Sequence, residues 1–260
     1  MNGAGNDFVL VDNRDDQVSL GREQIAQLCH RQRGIGADGL IYLRNAKNGA
    51  DWAWEFYNAD GSDAEMCGNG ARCFARYIQA TTGGGETLSF ETVCGVIHAQ
   101  INGESVTINL TDPQGLALNE SIPTSGGEQT VHSLNTGVPH AVLFVDEADA
   151  AMVSSLGEEI RFHDHFAPAG TNVNFAQIIT PGHIRVRTYE RGVGETLACG
   201  TGVSASGMIV AYLNDWPSPV KVDVLGGDTM VVAFEREGDA FSAVQLTGPA
   251  DFVFTGTVEI

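Results

Sequence analysis

Positive charge is what this sequence has least of: 14 Lys and Arg stand against 33 Asp and Glu in 260 residues, for a formal net charge of -19. The acidic residues are spread without a block of like charge, and no cluster of Lys and Arg exists to meet a nucleic acid or an anionic membrane. Only Lys47, in "RNAKNGAD", and Lys221, in an apolar strand, are lysines, and neither lies beside a phosphate loop. Pyridoxal phosphate, which needs a lysine Schiff base, is thereby excluded as a cofactor. No apolar run approaches the ~20 residues of a membrane helix, and the start does not read as a signal peptide.

The five cysteines, Cys29, Cys67, Cys73, Cys94 and Cys199, show neither a disulfide framework nor CxxC spacing. Cys67 and Cys73 are six apart, about 600° around a helix, and so point to different faces rather than to one metal. No metal site is expected, and free thiols point to a reducing, cytoplasmic location.

What is present is core material, with 43% hydrophobic residues, enough for two domains of ordinary size. Short apolar strands are predicted at 7–13, 88–93, 105–110, 220–225 and 230–235, and an amphipathic helix at 22–33, "REQIAQLCHRQR". The fold class is α+β, strand-rich. Residues 113–130, "PQGLALNESIPTSGGEQT", lack clear periodicity and are placed at a domain crossing, giving an N-terminal half over 1–115, joined by the strand at 250–260, and a C-terminal half over 116–249.

The halves read alike. "CGNG" at 67–70 recurs as "CGTG" at 199–202, an offset of 132. The same offset lays "GNDFVLV" (5–11) on "GVPHAVL" (137–143) and "FYNADG" (56–61) on "TYERGV" (188–193), and each Cys has a Tyr ten positions before it and a helical pattern after it. Two diverged copies of one domain facing across a cleft is the economical reading.

A helix starting just after a cysteine offers free N–H groups and a positive dipole end to a carboxylate, while its field lowers the thiol pKa. Two such turns supply two sulfurs, one thiolate and one thiol, and an anion site. Inverting an amino acid at Cα needs a base on one face and an acid on the other, which Cys67 and Cys199 could serve in either direction. Two helix ends around the α-carboxylate would stabilise the developing carbanion.

The ordered motifs "GAGNDFVLVDNR" (3–14), "RGIGADGLI" (33–41), "FYNADGSDAEMCGNGARCFARY" (56–77), "GTNVNFAQ" (170–177) and "YERGVGETLACGTG" (189–202) resemble those of the diaminopimelate epimerase family over nearly the whole chain. The resemblance implies interconversion of LL- and meso-2,6-diaminopimelate without metal or cofactor, between two similar α+β domains. It implies acid/base roles for Cys67 and Cys199, with His140 and Glu190 tuning the thiols by accepting or holding a proton. Implied substrate contacts are Asn6, Asn58, Asn172, Glu190 and Arg191, with the turn amides of Gly68, Asn69, Gly200 and Thr201 on the reacting carboxylate. Arg191 suits the distal carboxylate, because a guanidinium donates two parallel hydrogen bonds to it. The family's assembly implies a homodimer.

Three positions depart from the family pattern. Val138, in "GVPH", replaces an asparagine expected at the distal end of the substrate and is the repeat partner of Asn6. The start, "MNGAGND", lacks the few strand residues that come first in relatives, so a shorter sheet edge or a misassigned start is expected. Phe254 stands where many relatives have a dimer-forming Tyr. Because of Val138, an epimerase of another amino acid stays open beside the diaminopimelate reading, as does a non-catalytic binding protein.

Other signals carry less. "GIGADG" has a formal GxGxxG, but it follows a helical pattern and precedes the strand "LIYL", the reverse of the dinucleotide-binding context. "HDH" at 163–165 lacks a third ligand and reads as a polar loop, and Trp52 and Trp54 read as one packed strand face.

Overall fold

The computed structural model describes residues 1–64 and 66–259. The chain divides into two compact units, one formed by Met1–Ile108 with the segment from Gly248 onward, the other by Asn109–Thr247.

The first unit runs β1 (Asn2–Gly3), β2 (Asn6–Asp12), α1 (Arg22–Cys29), β3 (Gly39–Asn45), β4 (Trp52–Asn58), α2 (Gly68–Thr82), β5 (Thr87–Thr92), β6 (Gly95–Asn102) and β7 (Ser105–Asn109). These strands neighbour one another in sequence order, with β2 parallel to β3 and β4 parallel to β5. Alternate side chains leave opposite faces of a strand, so each face takes its own helix. Val9, Val11, Leu40 and Tyr42 pack with Ile25 and Leu28 of α1. On the other face Trp54 meets Phe74 of α2 with ring centroids 5.9 Å apart, and Phe74 meets Phe90 edge to face at 4.9 Å.

The second unit runs β8 (Gln114–Thr124), β9 (Gly127–Asn135), β10 (Pro139–Phe144), α3 (Val153–Arg161), β11 (Asn172–Thr180), β12 (His183–Glu190), β13 (Gly194–Thr196), α4 (Gly200–Asn214), β14 (Val220–Val224), β15 (Thr229–Glu237) and β16 (Ala240–Pro249). Its middle repeats the first unit's arrangement: β10 is parallel to β11, β11 antiparallel to β12, and β12 parallel to β14. Val153 and Ile160 of α3 pack on Ala141, Leu143, Val173 and Phe175 of one sheet face. α4 takes the other, and its residues from Gly202 through Ala211 are buried. A helix of small and apolar residues without a polar stripe is one enclosed on every side. The architecture is the α+β, strand-rich, repeated class read from the sequence.

Two stretches differ from that reading. Residues 113–130 are not an aperiodic crossing but most of a hairpin, β8 paired antiparallel with β9 and turning at Ser125–Gly126. The pairing shifts register at Gln114/Ala117 and again at Ala117/Glu120, and most β8 side chains are exposed or half-buried. A bulged edge strand leaves no alternation to read. The helix expected over 22–33 stops at Cys29, because the chain turns back and the N–H groups of Ile35 and Gly36 donate to Leu28 O. Gly34 permits the turn, since a Cβ there would lie 2.1 Å from Gln27 O.

Trp52 and Trp54 lie on β4, Trp54 buried against Phe56 and Phe90, and Trp52 beneath the Arg14 guanidinium at 5.3 Å. "HDH" forms a short turn in which His163 Nδ1 accepts from His165 N and His165 Nε2 lies 3.0 Å from Glu120. Among the described residues no group of His, Cys, Asp or Glu has the arrangement of a metal site, and no helix is long and apolar enough to cross a membrane.

Candidate active site

Both CGxG turns are helix starts, each with its cysteine as the N-cap in extended conformation. In the first, Gly70 N donates to Cys67 Sγ at 3.5 Å. Buried Arg72, one turn along, donates to Gly68 O at 3.3 Å and to Asn69 Oδ1 at 2.8 Å. Asn69 Nδ2 then donates to Asn6 Oδ1 at 2.6 Å, and Asn6 Nδ2 to Asp38 Oδ2 at 3.0 Å. Asp38 is itself held by Arg31, which bridges Asp7 and Asp38 at 2.8 Å to each. Of the predicted residues of this unit, Cys67, Gly68, Asn69 and Asn6 are thus joined. Asn58 stands apart from that chain, donating to Ser62 Oγ and Asp63 O at its own strand end. Arg72, Asp38 and Arg31 were not singled out from the sequence.

In the second unit Cys199 Sγ lies 3.5 Å from Thr201 Oγ1 and is hydrogen-bonded to the Glu190 carboxylate, which also accepts from Thr196 Oγ1 at 2.6 Å. Asn172 Oδ1 accepts from Arg191 N at 2.8 Å, while Arg191 Nη1 donates to Ala169 O at 3.2 Å. Thr136 Oγ1 donates to Thr201 O at 3.0 Å, tying the loop that carries Val138 to the start of α4. His140 is buried under the same helix turn, with Cε1 3.3 Å from the position of a Cβ at Gly202. Glu190, Cys199 and Thr201 therefore form one contact group, and His140 sits beneath it.

The electrostatics correct one expectation. A helix N-terminus should lower a thiol pKa, yet Cys199 is held well above the ordinary 9.0, first by burial and then by the neighbouring Glu190 charge. The hydrogen bonds from Thr201 and Gly202 N act in the lowering direction and are outweighed. Burial raises Glu190 as well, against the opposing bonds from Thr196 and Cys199. Burial thus favours the neutral form of both groups, with the Cys199 thiol beside the Glu190 carboxyl. Cys73 and Cys29, pushed up by burial to about 12 and about 11, are unreactive thiols.

The sequence matches the family profile described as Diaminopimelate epimerase over residues 1–115 and 132–253. The chain belongs to the diaminopimelate epimerase family. Proteins named diaminopimelate epimerase from Hydrogenobaculum sp. and Aquifex aeolicus are 43% and 42% identical to it, each match covering 98% of this chain and 95% of the relative. The one from Chlorobaculum tepidum is 39% identical over the full length of both. Among solved structures, a hydroxyproline epimerase from Agrobacterium vitis superposes with a TM-score of 0.66 at 20% identity, covering 87% of this chain and 77% of that one. A phenazine biosynthesis protein of the PhzF family from Bacillus anthracis gives 0.68 at 16%, covering 96% and 92%. At such identities these two establish the fold alone.

Within this family member, His140 makes acid stability measurable. Burial, then the Arg191 charge, lower its pKa from 6.5 to about 3. A depressed folded pKa contributes stability that is present above 6.5 and is lost as pH falls toward 3. We expect His140→Gln to remove up to ~1.4 kcal/mol of pH dependence per unit over that window in urea unfolding curves. An unchanged slope would show that His140 titrates normally.

Proposed function

We propose that the protein is an isomerase, a diaminopimelate epimerase that interconverts LL- and meso-2,6-diaminopimelate by thiol-mediated proton transfer at Cα. The observation that carries the reading is the cysteine N-cap at the start of both α2 and α4, the second paired with the Glu190 carboxylate. In this reading one cysteine removes the α-proton and the other returns one to the opposite face. The protons balance, because the sulfur that gives one up and the sulfur that takes one exchange roles when the reaction runs backward. For Cys199, Glu190 is the acceptor that takes the thiol proton when the thiolate is needed. The free N–H groups at both helix starts receive the α-carboxylate and stabilise the carbanion. Asn6, Asn58, Asn172 and Arg191 are assigned to the remainder of the substrate. No cofactor enters these steps.

Incubation with LL-diaminopimelate in D₂O is expected to give the meso form carrying deuterium at the inverted carbon, read by mass spectrometry and NMR. No exchange with this substrate overturns the assignment. Half-buried Val138, which cannot donate or accept a hydrogen bond where the family pattern has asparagine, supports a second reading in which another amino acid is inverted. α-Proton exchange with an amino acid lacking a distal carboxylate, across a panel, would favour it.

The thiol chemistry fits a reducing, cytoplasmic setting. For assembly we propose a homodimer using the apolar C-terminal segment, where Phe252, Val253 and Phe254 are exposed. Phe254 keeps the aromatic surface there without a hydroxyl.

A further inference from the structure

The two units differ in kind beneath the second glycine of each CGxG turn. In the first unit Phe8, Ile41 and Phe56 stand there on β2, β3 and β4. A Cβ at Gly70 would lie 3.3 Å from Ile41 Cδ1 and 3.4 Å from the Phe8 ring, and Phe8 packs edge to face with Phe56 at 5.9 Å. Phe8 is opposite Gly39, two positions before Ile41, and Ile41 is opposite Phe56.

The second unit has the same register with other residues. His140 is opposite Asn172, two positions before Asn174, and Asn174 is opposite Thr188. A Cβ at Gly202 would lie 2.3 Å from Asn174 Oδ1 and 3.3 Å from His140 Cε1. Phe–Ile–Phe has become His–Asn–Thr at matching places. Since hydrocarbon suffices to build this corner of the fold, the polar set is not a demand of the fold.

Its hydrogen bonds run one way. Asn174 Nδ2 is 3.0 Å from Ala141 O, an atom that only accepts, so the amide nitrogen must face that side. Asn174 Oδ1 accepts from Thr188 Oγ1 at 2.9 Å. The second N–H of Asn174 Nδ2 then points at His140 Nδ1, 3.2 Å away. A donor aimed at Nδ1 requires a lone pair there, which places the proton of a neutral imidazole on Nε2. Turning the amide over would press its oxygen against Ala141 O.

We propose that Asn174, oriented by Thr188, is a positioning residue that holds His140 as the neutral Nε2–H tautomer, so that His140 serves the reaction as a hydrogen-bond donor to an anionic acceptor and not as a base. The Nε2 atom is buried and meets no acceptor among the described residues. A donor kept dry in this way is arranged for an anion that forms or arrives during the reaction. Burial and the Arg191 charge both oppose the imidazolium, which agrees with a ring that keeps one proton. The role in catalysis rests on the epimerase reading; the tautomer does not.

Long-range ¹H–¹⁵N spectra of the labelled protein decide the tautomer, with the His140 signals identified by their loss in His140→Gln. A pyridine-type Nδ1 and a pyrrole-type Nε2, unchanged from about pH 5 to 8, are expected. A proton on Nδ1, or a titration in that interval, overturns the proposal.

Thr188→Val keeps the shape and removes the donor, whereas Thr188→Ser keeps the hydroxyl. With Ala141 O still fixing the amide, the valine variant should keep Nε2–H but hold the ring less firmly, with a kcat about tenfold lower and KM unchanged, and the serine variant should match the wild type. Equal, full kcat in both overturns the positioning role.

Should the valine variant not fold, Asn174→Asp replaces it. Its carboxylate accepts from Nδ1, moves the proton there and lowers kcat about 100-fold. Retention of Nε2–H with full kcat overturns the proposal. If the wild type epimerises nothing, the substrate reading fails while the spectrum still decides the tautomer.

Discussion

Cys67→Ala and Cys199→Ala are each expected to lower kcat for epimerisation by about 10⁴-fold or more, with both proteins still folded. Inversion needs a proton donor and a proton acceptor on opposite sides of one carbon, so losing either group stops the net reaction. The double variant should be no worse than either single one, because groups that act as a unit are not additive. Stability should barely move. The Cys67 sulfur accepts a long 3.5 Å bond from Gly70 N, and the Cys199 sulfur takes the weak bond from Gly202 N, so the lost cap is worth ~1 kcal/mol at most in each case. Steady-state kinetics beside thermal melts separate the two effects. Activity within tenfold of wild type in either alanine variant would remove that cysteine from the chemistry and favour a different base.

How far the sequence could be read follows the physics of each feature. The two cysteine turns were legible because glycine spacing and a following helical pattern are local signals, and both helices do start at the residue after the cysteine. The hairpin over 114–135 was not, because exposure and two register shifts erase alternation from its outer strand. The raised pKa of Cys199 was missed for another reason. The helix start is visible in sequence order, but burial and the approach of Glu190, nine positions upstream, come from tertiary packing, and they outweigh the lowering bonds from Thr201 and Gly202 N. Asn174 and Thr188 left a faint trace. The offset of 132 that lays Phe8 on His140 also lays Phe56 on Thr188, and an offset one larger lays Ile41 on Asn174. Three apolar residues facing three polar ones in a repeat is a readable contrast once strand register is known. Arg72 gave no such trace: only the folded unit, with Gly248 leaving room beside the guanidinium, explains a buried arginine in an apolar helix.

Glu190→Gln should trade activity for stability, and pH gives the sign. Gln keeps the shape and can still accept from Thr196, but it cannot take a proton from the Cys199 thiol. We expect kcat to fall by about 10² to 10³-fold. The charge of Glu190 is one of the causes that raise Cys199, so its removal should lower that thiol's pKa, a shift readable from thiolate absorbance during a pH titration. A more acidic but slower cysteine would distinguish loss of a proton acceptor from mere loss of thiolate. The melting temperature should move the other way. Burial raises the folded pKa of Glu190 above 4.5, so the stability linked to its protonated form is complete below 4.5 and lost as pH rises through the folded value. At pH 7 the wild type therefore carries the penalty of a buried carboxylate, and Gln removes it. The variant should melt higher at neutral pH, and the two curves should converge below about pH 4.5. A lower melting temperature at pH 7 would mean that the bonds from Thr196 and Cys199 outweigh burial, and a rise in the Cys199 pKa would mean that Glu190 is not the charge that governs it.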